Sequence, residues 1–226
     1  MLPEVEPAAR SRHRSVVANP PTIDFISDVI CPWCFIGLRR LEAALEQEGA
    51  AETPITFHPF QLDPSTPMEG ADLRERLAEK FGGDPSSMFR RVEAVARESG
   101  IPLDFEKVRR SPNTLKAHVL IGRALDKGTQ HALANALFEA HFLDGKDIGS
   151  DSVLVDIASA HGFDRSEAEG ILADRSALDA TRAEAAAMSR QGVSGVPFII
   201  FGGKLAVSGA QPTDIFCEAF RRAKAA

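Results

Sequence analysis

The chain predicts an α/β fold in which a βαβ unit and a later ββα unit are separated by an all-helical insertion. Three observations carry this. Near the N-terminus a β-type run passes through a Cys-Pro-Trp-Cys turn into a helical pattern; residues 68–191 are rich in Ala and Leu at helical spacing; and β character returns only around residues 196–207, astride a Gly-Gly turn.

Each element has its own signal. Residues 1–20 mix Pro, Ser and charge without a period and are expected to form a flexible arm. Residues 22–28 read as the first strand, and Phe35, Ile36, Leu38, Leu41, Ala44 and Leu45 recur at helical spacing as far as Gly49, a C-terminal stop. Residues 54–61 form a second β-type run that ends in a turn-rich stretch at 62–67. The helical region is punctuated at Gly82-Gly83-Asp84-Pro85, Gly100-Ile101-Pro102, Ser111-Pro112, Asp144-Gly145 and His161-Gly162, which divides it into six or seven helices. Ser111 reads as the cap of one of these helices and Pro112 as its first residue. Residues 196–201 and 204–207 make a hairpin around Gly202-Gly203, and Pro212 opens a last helix that runs to about Arg222. The expected organisation is therefore an arm at 1–20, an α/β domain built from 21–67 and 192–226, and a helical insertion domain at 68–191.

With 226 residues the chain can bury a full core and needs no disulfide scaffold. Its 26 Lys+Arg against 32 Asp+Glu leave a net charge of −6, which argues against sequence-independent binding to nucleic acid or to anionic lipid. No apolar run approaches the roughly 20 residues of a membrane span, and the N-terminal residues contain no apolar signal core, so the expected location is the cytoplasm. In that reducing compartment, three cysteines of which only two are neighbours point to redox or metal chemistry rather than to a staple.

Cys31 and Cys34 sit where the first strand hands over to the first helix. With Cys31 as N-cap and Pro32 at the first helical position, the unpaired N–H groups and the positive helix end face the Cys31 sulfur, an arrangement that favours a nucleophilic thiolate. Cys34 lies one turn on along the same face and can attack a mixed disulfide formed at Cys31. Cys31 is thus the expected nucleophile and Cys34 the resolving thiol; two reduced thiols that merely pack are the plain alternative. A zinc site needs four ligands, and no second close pair accompanies the cysteines, so no metal is expected. Cys217 falls off the apolar stripe of the last helix and is expected to be an incidental, partly exposed thiol.

Four segments carry a resemblance: Cys31-Pro32-Trp33-Cys34 after the first strand; residues 58–64; Ser111-Pro112-Asn113-Thr114 with Ala117-His118; and Gly192-Val193-Ser194-Gly195-Val196-Pro197 before the last strands. Together they resemble a thioredoxin fold interrupted by a helical domain, as in the DsbA-like family and its FrnE-type subgroup, which is similar in fold to 2-hydroxychromene-2-carboxylate isomerases and kappa-class glutathione transferases. The resemblance implies a cis peptide bond before Pro197 that faces the cysteines, with the Val196 backbone pairing with an extended substrate. It also implies that Asn113, with Thr114 and His118, borders the cleft and contacts substrate. Trp33, with Pro32 beside it, would offer an apolar contact surface. A proton relay from a buried carboxylate would fall to Asp28 or Asp24, three and seven residues before Cys31, neither at the usual spacing. His58 reads as a wall histidine, and His131, His141 and His161 as structural.

The expected activity is thiol–disulfide exchange on a protein or small-thiol disulfide, with no cofactor beyond the cysteine pair and with glutathione as a candidate co-substrate. A glutathione-dependent isomerase or transferase on the same scaffold is the first alternative, and a non-enzymatic binding or holdase module using the groove around Trp33 the second. A homodimer through the helical insertion is compatible with the family, and nothing in the sequence requires it.

Overall fold

The computed structural model describes residues 21–225; the expected arm at 1–20 lies outside them. The βαβ unit comprises β1 (Ile23–Ser27), α1 (Pro32–Gln47) and β2 (Ile55–Pro59), and the ββα unit β5 (Phe198–Phe201), β6 (Leu205–Ser208) and α9 (Thr213–Ala225). Between them run β3 (Ala71–Asp72), α2 (Leu73–Phe81), α3 (Ser86–Glu98), β4 (Arg110–Ser111), α4 (Leu115–Ala124), α5 (Gln130–Phe142), α6 (Asp151–Ser159), α7 (Arg165–Ala173) and α8 (Arg175–Arg190).

The four-stranded sheet has the order β2-β1-β5-β6. β1 pairs in parallel with β2 and antiparallel with β5, so the central strand is reached from both ends of the chain. Alternation along β1 sends Ile23 and Phe25 to one face and Ile26 to the other. On the first face α1 and α9 pack side by side. On the second, Ile26, Phe60 and Val193 gather beneath the end of α8.

The helical region contributes seven helices among the described residues, and its apolar side chains join the same buried cluster as the sheet. Phe35 of α1 stacks on Phe138 and Phe142 of α5, with ring centroids 5.4 and 6.0 Å apart, and so ties the helices to the sheet layer.

Two local readings are corrected. Ser111 and Pro112 do not start a helix: Ser111 pairs with Ala71 in a two-stranded ladder, and α4 begins at Leu115, whose N–H is taken by the Asn113 side chain at 3.0 Å. Cys217 is not an exposed thiol. Because α9 lies along α1, its buried face includes Phe216, Cys217, Ala219 and Phe220 and leaves Ile215 39 % exposed. The Cys217 sulfur sits 3.7 Å from the Ala44 carbonyl.

Candidate active site

The site forms where β1 ends. Phe60 N–H donates to the Ser27 carbonyl (3.0 Å), and Leu62 N–H donates to Asp28 Oδ2 (2.8 Å), which fixes the segment after β2 against the segment after β1. Cys31 N–H donates back to the Asp28 carbonyl at 2.9 Å. That turn sets Cys31 as N-cap of α1 with φ −89° and ψ 111°, and puts Pro32 in the first turn; no side chain caps this end. The first-turn N–H groups are therefore presented at the Cys31 end of the helix.

Cys31 is 3 % exposed and Cys34 is fully buried, and both are free thiols. The Cys31 thiol donates to the Val196 carbonyl at 3.6 Å. The Val196–Pro197 peptide is cis. Pro197 is buried against α1, where Gly37 leaves room for its ring, and its carbonyl accepts from Gly209 N–H at 2.8 Å. Burial pushes the Cys34 thiol well up from its usual range and the adjacent Cys31 sulfur adds to the effect, while a backbone hydrogen bond from Asp28 opposes it. Cys34 is therefore a protonated thiol at neutral pH.

Asp28 is fully buried beside this pair, and its Oδ1 lies 3.2 Å from His118 Nε2. His118 borders a cleft of about 200 Å³ that also contains His58, Gln130 and Glu184, so the carboxylate–imidazole pair runs from the cysteines toward a second surface. Asp24, the other relay candidate, is not part of the cysteine site. Its Oδ1 lies 2.9 Å from His58 Nε2, on a half-exposed edge that Glu184 also flanks. Strand parity is the same for both acids, but Asp24 sits within β1 opposite β2, whereas Asp28 lies past the strand end where the chain turns into α1.

Asn113 and Thr114 are buried, and His118, though it borders the smaller cleft, does not line the cavity beside Cys31. Asn113 donates to the Thr66 carbonyl at 2.7 Å and accepts from Leu115 N–H, Thr114 is 2 % exposed, and His118 is held by Asp28. These residues tie down the loop after β2 and the start of α4. Trp33 and Pro32 are half-buried and line, with Cys31 and Val196, a cavity walled on the far side by α2 and α3. A cover from the helical insertion is expected from the sequence, but nothing in the periodicity of α2 and α3 says that these are the helices that face the cysteines. His141, read as structural, also lines it.

The sequence profile of the family described as DSBA-like thioredoxin domain matches residues 22–221. The uncharacterized protein YwbO of Bacillus subtilis (strain 168) is 25% identical over 201 residues, which span 87% of this chain and 94% of that one. Among solved structures, the probable DsbA oxidoreductase SCO1869 from Streptomyces coelicolor superposes with a TM-score of 0.81 at 28% identity, covering 90% of this chain and 89% of that one. A 2-hydroxychromene-2-carboxylate isomerase shares the fold, with a TM-score of 0.68 at 19% identity over 89% of this chain and 95% of its own.

Proposed function

The chain belongs to the DSBA-like thioredoxin domain family, and from that premise we propose that it is a thiol–disulfide oxidoreductase in which Cys31 and Cys34 are the working pair. The observation that carries this reading is the Cys31 sulfur, held at an uncapped helix N-terminus and 3.6 Å from the Val196 carbonyl, next to a buried partner thiol.

The Cys31 thiolate attacks one sulfur of a substrate disulfide. A Cys31–substrate mixed disulfide forms, and the other substrate sulfur leaves and takes up a proton. Cys34 then gives its proton to the Asp28 carboxylate and attacks the Cys31 sulfur, expelling the second substrate thiol. The protein pair is oxidised by two electrons and the substrate disulfide is reduced to two thiols; a small thiol of the glutathione class returns the pair to its reduced form. From Asp28 the proton leaves by way of His118 and the cleft beyond it. Val196 offers its backbone to the substrate beside the reacting sulfur, with Pro197 holding that segment in place and Trp33 and Pro32 supplying an apolar surface. A reducing, cytoplasmic setting fits this direction of electron flow. No helix among the described residues is long and apolar enough to cross a membrane.

Insulin-disulfide reduction with a thiol donor tests the proposal. Wild type is expected to reduce insulin, and Cys31→Ser and Cys34→Ser to lose the activity; a Cys31→Ser protein as active as wild type would overturn the reading. The fold shared with the isomerase supports one second reading, glutathione-dependent isomerisation. It predicts instead that a glutathione-dependent isomerase activity is left largely intact in Cys34→Ser, since that chemistry needs no resolving thiol.

A further inference from the structure

Thiol–disulfide exchange at Cys31 needs a backbone edge, a neighbouring thiol and a base for it, and none of these calls for a cavity. The fold nevertheless leaves a cavity of about 310 Å³ opening beside the Cys31 sulfur. That volume is at the lower end of the roughly 300–1,000 Å³ of small-molecule pockets. Its walls are apolar: Trp33 on the cysteine side, Leu77 of α2, Phe89 and Val92 of α3, and Phe105 from the following loop. Backbone pairing along Val196 does not by itself fill this volume.

Two polar features break the apolar lining. His141 lines the cavity at 3 % exposure, and its Nδ1 is buried with no hydrogen-bond partner among the described residues. A buried polar atom without a partner is unusual in a folded protein, and a ligand group that reaches it supplies the missing bond. At the mouth stand Arg76 and Lys80 of α2 with a single carboxylate, Asp63. Arg76 is spent on Asp63 at 2.8 Å, and Lys80 donates to the Leu62 carbonyl at 3.2 Å, so two cations face one acid and the mouth is net positive.

We propose that this cavity seats the apolar body of a small disulfide that carries one anionic group on the half that enters, with its sulfur at Cys31 and its charge toward Lys80. The inference rests on the exchange reading above and narrows its substrate class to low-molecular-weight disulfides. The electron balance is unchanged: a pre-reduced protein supplies two electrons per disulfide and releases two thiols, so a single turnover needs no other reductant.

The test is single-turnover kinetics of pre-reduced protein against three disulfides: 5,5′-dithiobis(2-nitrobenzoate), aromatic with one carboxylate per half; 4,4′-dithiodipyridine, aromatic and uncharged; and insulin. Leu77→Trp fills the cavity, and Lys80→Glu reverses an exposed charge at its mouth. Leu77→Trp is expected to slow both aromatic disulfides at least tenfold relative to insulin. Lys80→Glu is expected to slow the nitrobenzoate probe about fivefold and leave the dipyridyl rate within twofold. Equal slowing on all three substrates by Leu77→Trp, or no charge discrimination in Lys80→Glu, overturns the proposal, and the second variant decides alone if the first does not fold. Loss of the exchange reading has a different signature, in which wild type and Cys31→Ser react with all three probes at the same rate.

Discussion

In the proposed exchange, Cys34 cannot act without a base. Burial and the neighbouring Cys31 sulfur hold its thiol protonated at neutral pH, so the second step of exchange waits on a proton acceptor, and Asp28 is the carboxylate beside it. General-base assistance of this kind is worth about 10²-fold or more. Asp28→Asn, which keeps an oxygen for the Leu62 N–H, is therefore expected to leave the first attack unchanged and slow resolution roughly 10²-fold. Acid quenching followed by mass spectrometry checks this: the Cys31 mixed disulfide should accumulate in the variant, and a variant that resolves at the wild-type rate removes Asp28 from the mechanism. At this scale the sequence was legible for the placement of the two thiols at the start of α1 and not for the side chains around them. The Cys-Pro-Trp-Cys spacing names both thiols, since a helix start needs only local signals. Asp24 and Asp28 share strand parity, and only the end of pairing at Ser27 separates them. His118 and His141 are placed by helix packing that spans the chain, so no local pattern marks the one as a partner of Asp28 or the other as a cavity wall.

Among the elements, α1 carries the site at one end and accepts the Val196–Pro197 segment along its side. Gly37 makes that approach possible: a Cβ there would stand 2.9 Å from Pro197 Cγ and 3.5 Å from Ala210 Cα. Glycine inside a helix is disfavoured by about 0.5–1 kcal/mol relative to alanine, so helix propensity alone predicts that Gly37→Ala stabilises. The contact predicts the reverse, because overpacking a tight interior costs about 1–3 kcal/mol and the part that yields is the segment facing Cys31. Gly37→Ala is expected to lower Tm and to reduce insulin reduction several-fold, checked by thermal melting beside the assay; a raised Tm with full activity contradicts this packing account. The strands and helices flanking the cysteines were readable because their periods are unbroken over several residues. The β3–β4 ladder was not, since two residues per strand carry no period, and Ser111 looked like a cap because the Asn113 side chain that starts α4 lies two residues further on.

Over the whole molecule, the helical region and the sheet share one buried cluster, with Phe35 stacked on two rings of α5. The division of the chain by composition describes the order of elements, while their packing against one another depends on long-range contacts that composition does not encode. A property of the entire fold follows from one member of that core. Burial lowers the pKa of His141 from 6.5 to about 4, outweighing the opposing pull of the nearby Lys146 backbone and of the carboxylates of Asp147 and Asp28. The unfolded chain therefore takes up this proton first, and the stability contributed by neutral His141 falls as pH drops from about 6.5 to about 4, by about 3 kcal/mol. Urea denaturation at stepped pH should show a steeper fall in wild type than in His141→Phe, in which the lowered carboxyls of Glu42 and Asp63 still act; equal slopes in the two proteins would contradict the burial assigned to His141. The central claim, that Cys31 and Cys34 form a reversible redox pair, is tested most directly by the fluorescence of Trp33, the single tryptophan, which lies between them. Equilibrated across glutathione redox buffers, wild type is predicted to show one reversible two-electron transition, with a midpoint between about −270 and −120 mV, that Cys34→Ser lacks. A wild-type signal that stays flat across the whole range, or a transition that survives in Cys34→Ser, would contradict it.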